Sequence, residues 1–432
     1  MKNSKLRIIV TGLIGQHPAL GGVAWDYLQY PLGLRLLGHD VYYFEDSGEW
    51  PYTLYGGSSG SDWVAKDCDR NVAHLKSVMT RIGLEDRWAY RFPLRSSWHG
   101  LSDTTREEVL RTTDLLINVS GTVEHPDAYR SVGRMVYIDS DPIFTQVKIA
   151  KGDQAFCRRV AAHDVHFSFG DSLCEGMIQT PYVWIPTRQP IVLREWRPLD
   201  TRRDVITTVM SWTSYRPLAH LGVTYGQKDA EFMKFLGLPS RMQTTPLEIA
   251  LGNTEHVNWL TANAELTPSL QKILHDKPQL SATDLLQLTG WRVVDAYDRC
   301  GSLDSYRDYI RTSKAEWSVA KNGYVRGSAG WFSCRSACYL ACGRPVVVQN
   351  TGFDRTLPVG EGLLTFHTVD EAVASLLEVL GNYARHCATA AQIASNYFEA
   401  EKVLADLLEL SYSSTSSPTS SKASGHPERK VV

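Results

Sequence analysis

The chain lacks the marks of several protein classes. It has no run of about 18 or more apolar residues, so no membrane-spanning helix is expected. It opens on a strand-like run, Leu6 to Val10, with no apolar signal segment before it, so a cytoplasmic setting with reduced thiols is expected. Its 8 cysteines include Cys334, Cys338 and Cys342, which recur every four residues along one helical face with no CxxC or CxxxH partners nearby. They read as buried small hydrophobes, and no metal site is expected. Positive charge is not in excess: 45 Lys and Arg stand against 47 Asp and Glu, a net charge of −2, so a nucleic-acid partner gains no electrostatic support. The glycine-rich stretch GLIGQHPALGG (12–22) lacks the Gly-Lys-Ser/Thr of a phosphate-binding P-loop and is not a clean GxGxxG.

What the chain does have is alternation. Continuous apolar strands at 7–15, 40–46, 114–121, 134–142, 164–170 and 182–187 are interleaved with helical stretches such as 25–38, which ends at Gly38 and carries Pro31 as a kink. The segment 187–204, with two Pro and five Arg, reads as a linker. A second alternation follows it. Strand 204–212, helix 229–239 with a Gly-Leu-Pro stop, an ambiguous 245–252, helix and strand in 280–296 and 303–319, helix and strand in 333–349, and helices at 368–381 and 383–410 make up this half. Continuous apolar strands with intervening helices indicate parallel sheets covered on both faces. The expected architecture is α/β: two Rossmann-like, doubly wound domains facing a cleft, over residues 1–190 and 191–410, with a disordered Ser-rich tail at 411–432.

Open parallel sheets bind ligands beyond the carboxyl ends of their strands. Three places there hold chemistry-bearing residues. His17, in the glycine-rich loop, is either a general base for an acceptor hydroxyl or a solvated loop histidine. Asp139 and Asp141, in IDSDP, can orient a histidine or bind hydroxyls, or Asp141 can simply cap a helix ahead of Pro142. The third place is 315–353. Its loop KNGYVRGSAGWF holds three Gly and two basic residues, and Ser333 can cap the helix that follows. The amides at that helix start form an anion site, and Arg335 in the first turn is a cation opposing the helix dipole, a placement more natural if it pairs with a bound phosphate. Acceptor-reading loops are expected at 47–70 and 87–103, both containing Trp, Tyr and Arg.

The stretch Ala341-Cys342-Gly343-Arg344-Pro345-Val346-Val347 resembles the ACGxPVV motif of the carboxyl-terminal domain of GT-B glycosyltransferases. MSWTSY (210–215) with YGQKDAEFMKF (225–235), and the opening GGVAWDYLQYPLGLRLLGHDVYYFED (21–46), are similar to members of that fold, so the resemblance spans residues 6–410. It implies a glycosyltransferase that moves a sugar from a nucleotide-sugar donor to a small-molecule or glycan acceptor, without a cofactor. A sugar-nucleotide epimerase or phosphorylase, or a non-catalytic nucleotide- or carbohydrate-binding protein, are the alternatives. It further implies a donor site of Ser211, Trp212, Lys228, Ser328, Trp331, Ser333, Arg335, Ser336, Thr351, Gly352 and Phe353, with His17, Asp139 and Asp141 in proton transfer. One departure is plain: the Glu-x7-Glu pair of retaining members is replaced by Gly330 and Cys338.

Overall fold

A computed structural model describes residues 5–52, 65–173, 178–242, 245–252, 272, 275–276 and 280–413. The expected tail beyond 413 and residues 53–64 of the 47–70 loop lie outside the described residues. Strands of the first half are β1 (Arg7–Thr11), β2 (Asp40–Glu45), β3 (Trp88–Phe92), β4 (Ser97–Gly100), β5 (Leu115–Val119), β6 (Met135–Asp139), β7 (Val165–Ser168) and β8 (Trp184–Pro186). They form one sheet in the order β4-β3-β2-β1-β5-β6-β7-β8, parallel except for the β3–β4 hairpin. In the second half β9 (Ile206–Ser211) precedes a small antiparallel hairpin, β10 (Leu218–His220) with β11 (Val223–Tyr225). β12 (Leu247–Gly252), β13 (Arg292–Asp295), β14 (Ala315–Ser318), β15 (Val346–Gln349) and β16 (Leu363–Phe366) follow. The second sheet runs β13-β12-β9-β14-β15-β16, all parallel.

Both sheets reverse strand order beside their first strand, at β1/β5 and at β9/β14. A doubly wound sheet opens its ligand crevice at such a switch point. The central strands are buried on both faces, as in Leu115–Val119 and Val346–Gln349, which explains their unbroken apolar runs.

Several elements differ from the sequence reading. Residues 88–100 are not an open loop but the β3–β4 hairpin, held on the sheet edge by the parallel pairing of β3 with β2. The helix expected over 229–239 is short: Lys228–Phe232 passes into a 3-10 turn, and Leu238-Pro239 begins a new turn instead of ending the old one. The expected 383–410 helix is two helices, Tyr383–Tyr397 and Ala400–Ser413. The break has a partner, because Ile191 N–H donates to the Phe398 carbonyl at 2.7 Å and Ala400 N–H donates to the Ile191 carbonyl at 2.9 Å. The segment 187–204 is thus not a loose tether: Ile191, Val192 and Trp196 are buried. After the crossing, helix 400–413 packs on helix Gly21–Leu36 of the first half.

Helix 21–36 also touches the second half. A Cβ on Gly21 would lie 2.1 Å from the Ser302 carbonyl oxygen, so glycine there permits a backbone approach across the two halves. Among the described residues no helix is long and apolar enough to cross a membrane.

Candidate active site

The carboxyl ends of the two sheets enclose a cavity of about 640 Å³, a size suited to a small-molecule ligand. The first half contributes the loop after β1, the start of helix 21–36 and Ser140 after β6. The second contributes the end of β9, Lys228, the helix Ala296–Cys300, Lys321, Tyr324, Trp331 and the start of helix Cys334–Ala341.

The loop after β1 is shaped by a buried carboxylate. Glu45, at the end of β2, accepts from the Gly15 and Gln16 amides at 2.8 and 2.5 Å and from the Tyr43 hydroxyl at 3.1 Å. Asn71 donates to the Gly15 carbonyl at 2.9 Å. The loop so held presents His17, whose ring stacks on Tyr52 at 4.6 Å. Burial lowers the imidazole pKa to about 4, and no carboxylate offsets it. At neutral pH the ring is uncharged.

Neither of the expected aspartates serves His17. Asp139 is buried and spent on the Thr145 hydroxyl at 2.7 Å, the Gln146 amide at 3.0 Å and the Ser168 hydroxyl at 2.9 Å. Asp141 does not cap the following helix with its side chain; it faces the second half. It accepts from Lys321 Nζ at 2.9 Å and from the Tyr215 and Tyr324 hydroxyls. Trp331 Nε1 adds a bond to the Ser140 carbonyl at 3.3 Å and its ring stacks on Tyr324 at 4.2 Å. These contacts latch the halves together beside the cavity. Replacing Asp141 by Asn should weaken the latch by about 1 kcal/mol, since the pair with Lys321 is partly solvated. Small-angle scattering checks this as a larger mean radius of gyration; an unchanged radius would show that the latch contributes nothing.

Of the expected donor residues, Ser211, Lys228, Trp331, Ser333 and Arg335 line the cavity. The others do not. Trp212 is fully buried and packs on Phe232. Ser336, Thr351 and Phe353 line an adjoining void of about 10 Å³, barely room for one water, which shares Trp331, Ser333 and Arg335 with the cavity. Ser328, in the left-handed conformation at φ 43°, packs against Gly352, whose added Cβ would lie 2.8 Å from the Ser328 hydroxyl. Ser333 occupies the N-cap position of helix 334–341, yet its side chain makes no capping bond. The amides of that first turn are left for another acceptor.

Arg335 is tied down more firmly than its sequence position suggested. Its Nε donates to Glu316 at 2.6 Å, and its terminal nitrogens donate to the Val209 carbonyl at 2.6 Å and the Ser318 hydroxyl at 2.7 Å. Glu316, on β14, is wholly buried, so it needs this cation with or without a ligand. Lys228 is the freer cation. Burial, then the neighbouring Arg335 and Lys321, push its ammonium well below the ordinary lysine pKa, and Glu316 offsets this only in part.

One residue of the site escaped the sequence reading. Asp26, on helix 21–36, lines the cavity. Burial raises its carboxyl pKa to about 7, with Arg335 pulling the other way. Its signal was present in the sequence: it is the only charged residue in the run GGVAWDYLQYPLGL (21–34). Among the described residues there is no group of three or more His, Cys, Asp or Glu suited to a metal ion.

No protein-family model and no curated protein matches the chain. Solved structures do resemble it. An α-glucosyltransferase in complex with UDP and a 13-mer DNA containing a HMU base is 11% identical, covers 94% of this chain and 100% of its own, and superposes with a TM-score of 0.54. HepE of Anabaena in complex with UDP-glucose is 11% identical, with the same coverages of 94% and 100% and a TM-score of 0.54. A glycosyltransferase from Rickettsia africae is 9% identical, with coverages of 95% and 99% and a TM-score of 0.50. The chain therefore has the GT-B fold of these glycosyltransferases, two Rossmann-like domains facing one cleft.

Proposed function

We propose that the chain is a glycosyltransferase, moving a sugar from a nucleotide-sugar donor to a hydroxyl-bearing acceptor, in the cytoplasm. The observation that carries this is the asymmetry of the cavity. Its second-half wall is basic: Lys228 and the uncapped start of helix 334–341 stand beside Lys321 and Arg335, which are paired with Asp141 and Glu316. Its first-half wall holds two groups able to accept a proton, neutral His17 and Asp26, beside the flat ring of Tyr52. A diphosphate suits the second-half wall and an activated hydroxyl the first-half wall.

In this reading Lys228 and the amides of Cys334 and Arg335 meet the charge that grows on the departing diphosphate. Ser211 and Ser333 bond phosphate or sugar oxygens, and Trp331 offers a planar face. Contact across the halves through Asp141 excludes water from the reacting centre. The similar structures solved with UDP and UDP-glucose make uridine donors the first to test. Titration calorimetry should give one site for UDP and for UDP-glucose. At a hundredfold excess over Kd the ligand should stabilise the fold by about 2.7 kcal/mol in thermal unfolding. If no nucleotide diphosphate or nucleotide sugar raises the transition, the donor site is not here.

A further inference from the structure

We infer that Asp26 takes the proton of the attacking hydroxyl in the sugar transfer proposed above. This rests on that reading and adds a catalytic residue to it. Among the described residues Asp26 is the only carboxylate lining the cavity. The other acids close by are engaged: Asp139 and Asp141 by several donors each, Glu316 by Arg335, and Glu45 by the loop amides. Among the described residues no donor is hydrogen-bonded to the Asp26 carboxylate, which lines the space a ligand would fill. It projects from helix 21–36, whose first residues Gly22 and Val23 line the same wall, while Lys228 belongs to the opposite half.

His17 is the weaker candidate. Its ring is stacked on Tyr52, and desolvation with no compensating anion makes it a poor base. The surroundings of Asp26 have the reverse effect. Arg335, Cys334 and Cys338 face it from helix 334–341, Tyr306 from the helix Leu303–Thr312, and Tyr27 and Tyr30 from its own helix. The thiols and phenols are all pushed above their ordinary pKa values, so they stay neutral. Arg335 is the lone charge among them, and the carboxyl titrates at about 7, where a general base is most effective. The step balances: the acceptor oxygen bonds to the anomeric carbon, that carbon's bond to the diphosphate oxygen breaks, nucleoside diphosphate leaves, and the hydroxyl proton moves to Asp26.

The test is release of UDP from UDP-glucose, with water as acceptor, by the full chain and by Asp26→Asn. UDP-glucose is a diphosphate diester with no group titrating near neutrality, so a limb there belongs to the protein. The wild type should show kcat rising with pH through about 7. Asp26→Asn should lose at least about a hundredfold in kcat and lose that limb. It should still bind UDP with its Kd within about threefold and melt at or above the wild-type temperature, because the variant removes a destabilised buried carboxylate. A variant that keeps both kcat and the limb overturns the assignment, as does one whose loss is entirely in Kd. A wild type that binds no nucleotide sugar, UDP-glucose included, instead overturns the sugar-transfer reading itself.

Discussion

Replacing Arg335 by Ala is expected to lower the free energy of unfolding by about 3–5 kcal/mol with no ligand present. The side chain is 11% exposed and its partner Glu316 0% exposed, with 2.6 Å between Nε and Oε1. Truncation leaves Glu316 charged, desolvated and unpaired inside the second sheet, and strands the Val209 carbonyl and Ser318 hydroxyl as well. Breaking such a pair costs far more than the pair contributes over an apolar substitute. Arg335→Met combined with Glu316→Leu should therefore recover most of the lost stability. Urea denaturation of the wild type, Arg335→Ala and the double variant checks both points. If Arg335→Ala alone unfolds at the wild-type midpoint, Arg335 is not structural and is free to serve a phosphate.

Lys228 should behave in the opposite way. Lys228→Met is expected to weaken UDP binding about ten- to a hundredfold, the value of a charge-assisted bond to phosphate. Yet it should raise the melting temperature at pH 7. Burial and the neighbouring cations depress the Lys228 pKa, so the folded state resists a proton that the unfolded state accepts. That penalty is present at neutral pH and disappears as pH rises toward the ordinary lysine range, where wild type and variant should converge. Calorimetry with UDP and thermal melts at pH 7 and pH 10 measure the two effects. A stability gain without a loss of affinity would mean that Lys228 does not meet the diphosphate.

These opposite signs mark where sequence reading reached and where it stopped. The strand–helix alternation was legible because several central strands are largely apolar on both faces, as in VVVQ at β15. The site was legible only as positions after strands. Arg335 looked like a phosphate ligand because the carboxylate it serves sits 19 residues earlier, in the buried β14, and a Glu there reads as solvated until the sheet is known. Asp141 looked like a partner for His17, but its donors Tyr215, Lys321 and Tyr324 lie at least 74 residues away in sequence. Ser336, Thr351 and Phe353 are expected from the resemblance, yet they line only a small void that adjoins the large cavity at Trp331, Ser333 and Arg335. Asp26 is not legible as a site residue in the sequence because it stands within helix 21–36, whereas a parallel sheet points to the loops after its strands.

The most direct measurement follows UDP-glucose and related nucleotide sugars by nuclear magnetic resonance, with wild-type protein and a panel of hydroxyl acceptors. The expected result is nucleoside diphosphate and a new glycoside in equal amounts, with the anomeric signal giving the stereochemical outcome. A donor that binds but stays intact with every acceptor and with water, or that rearranges its sugar without an acceptor, would contradict sugar transfer as the function of this cleft.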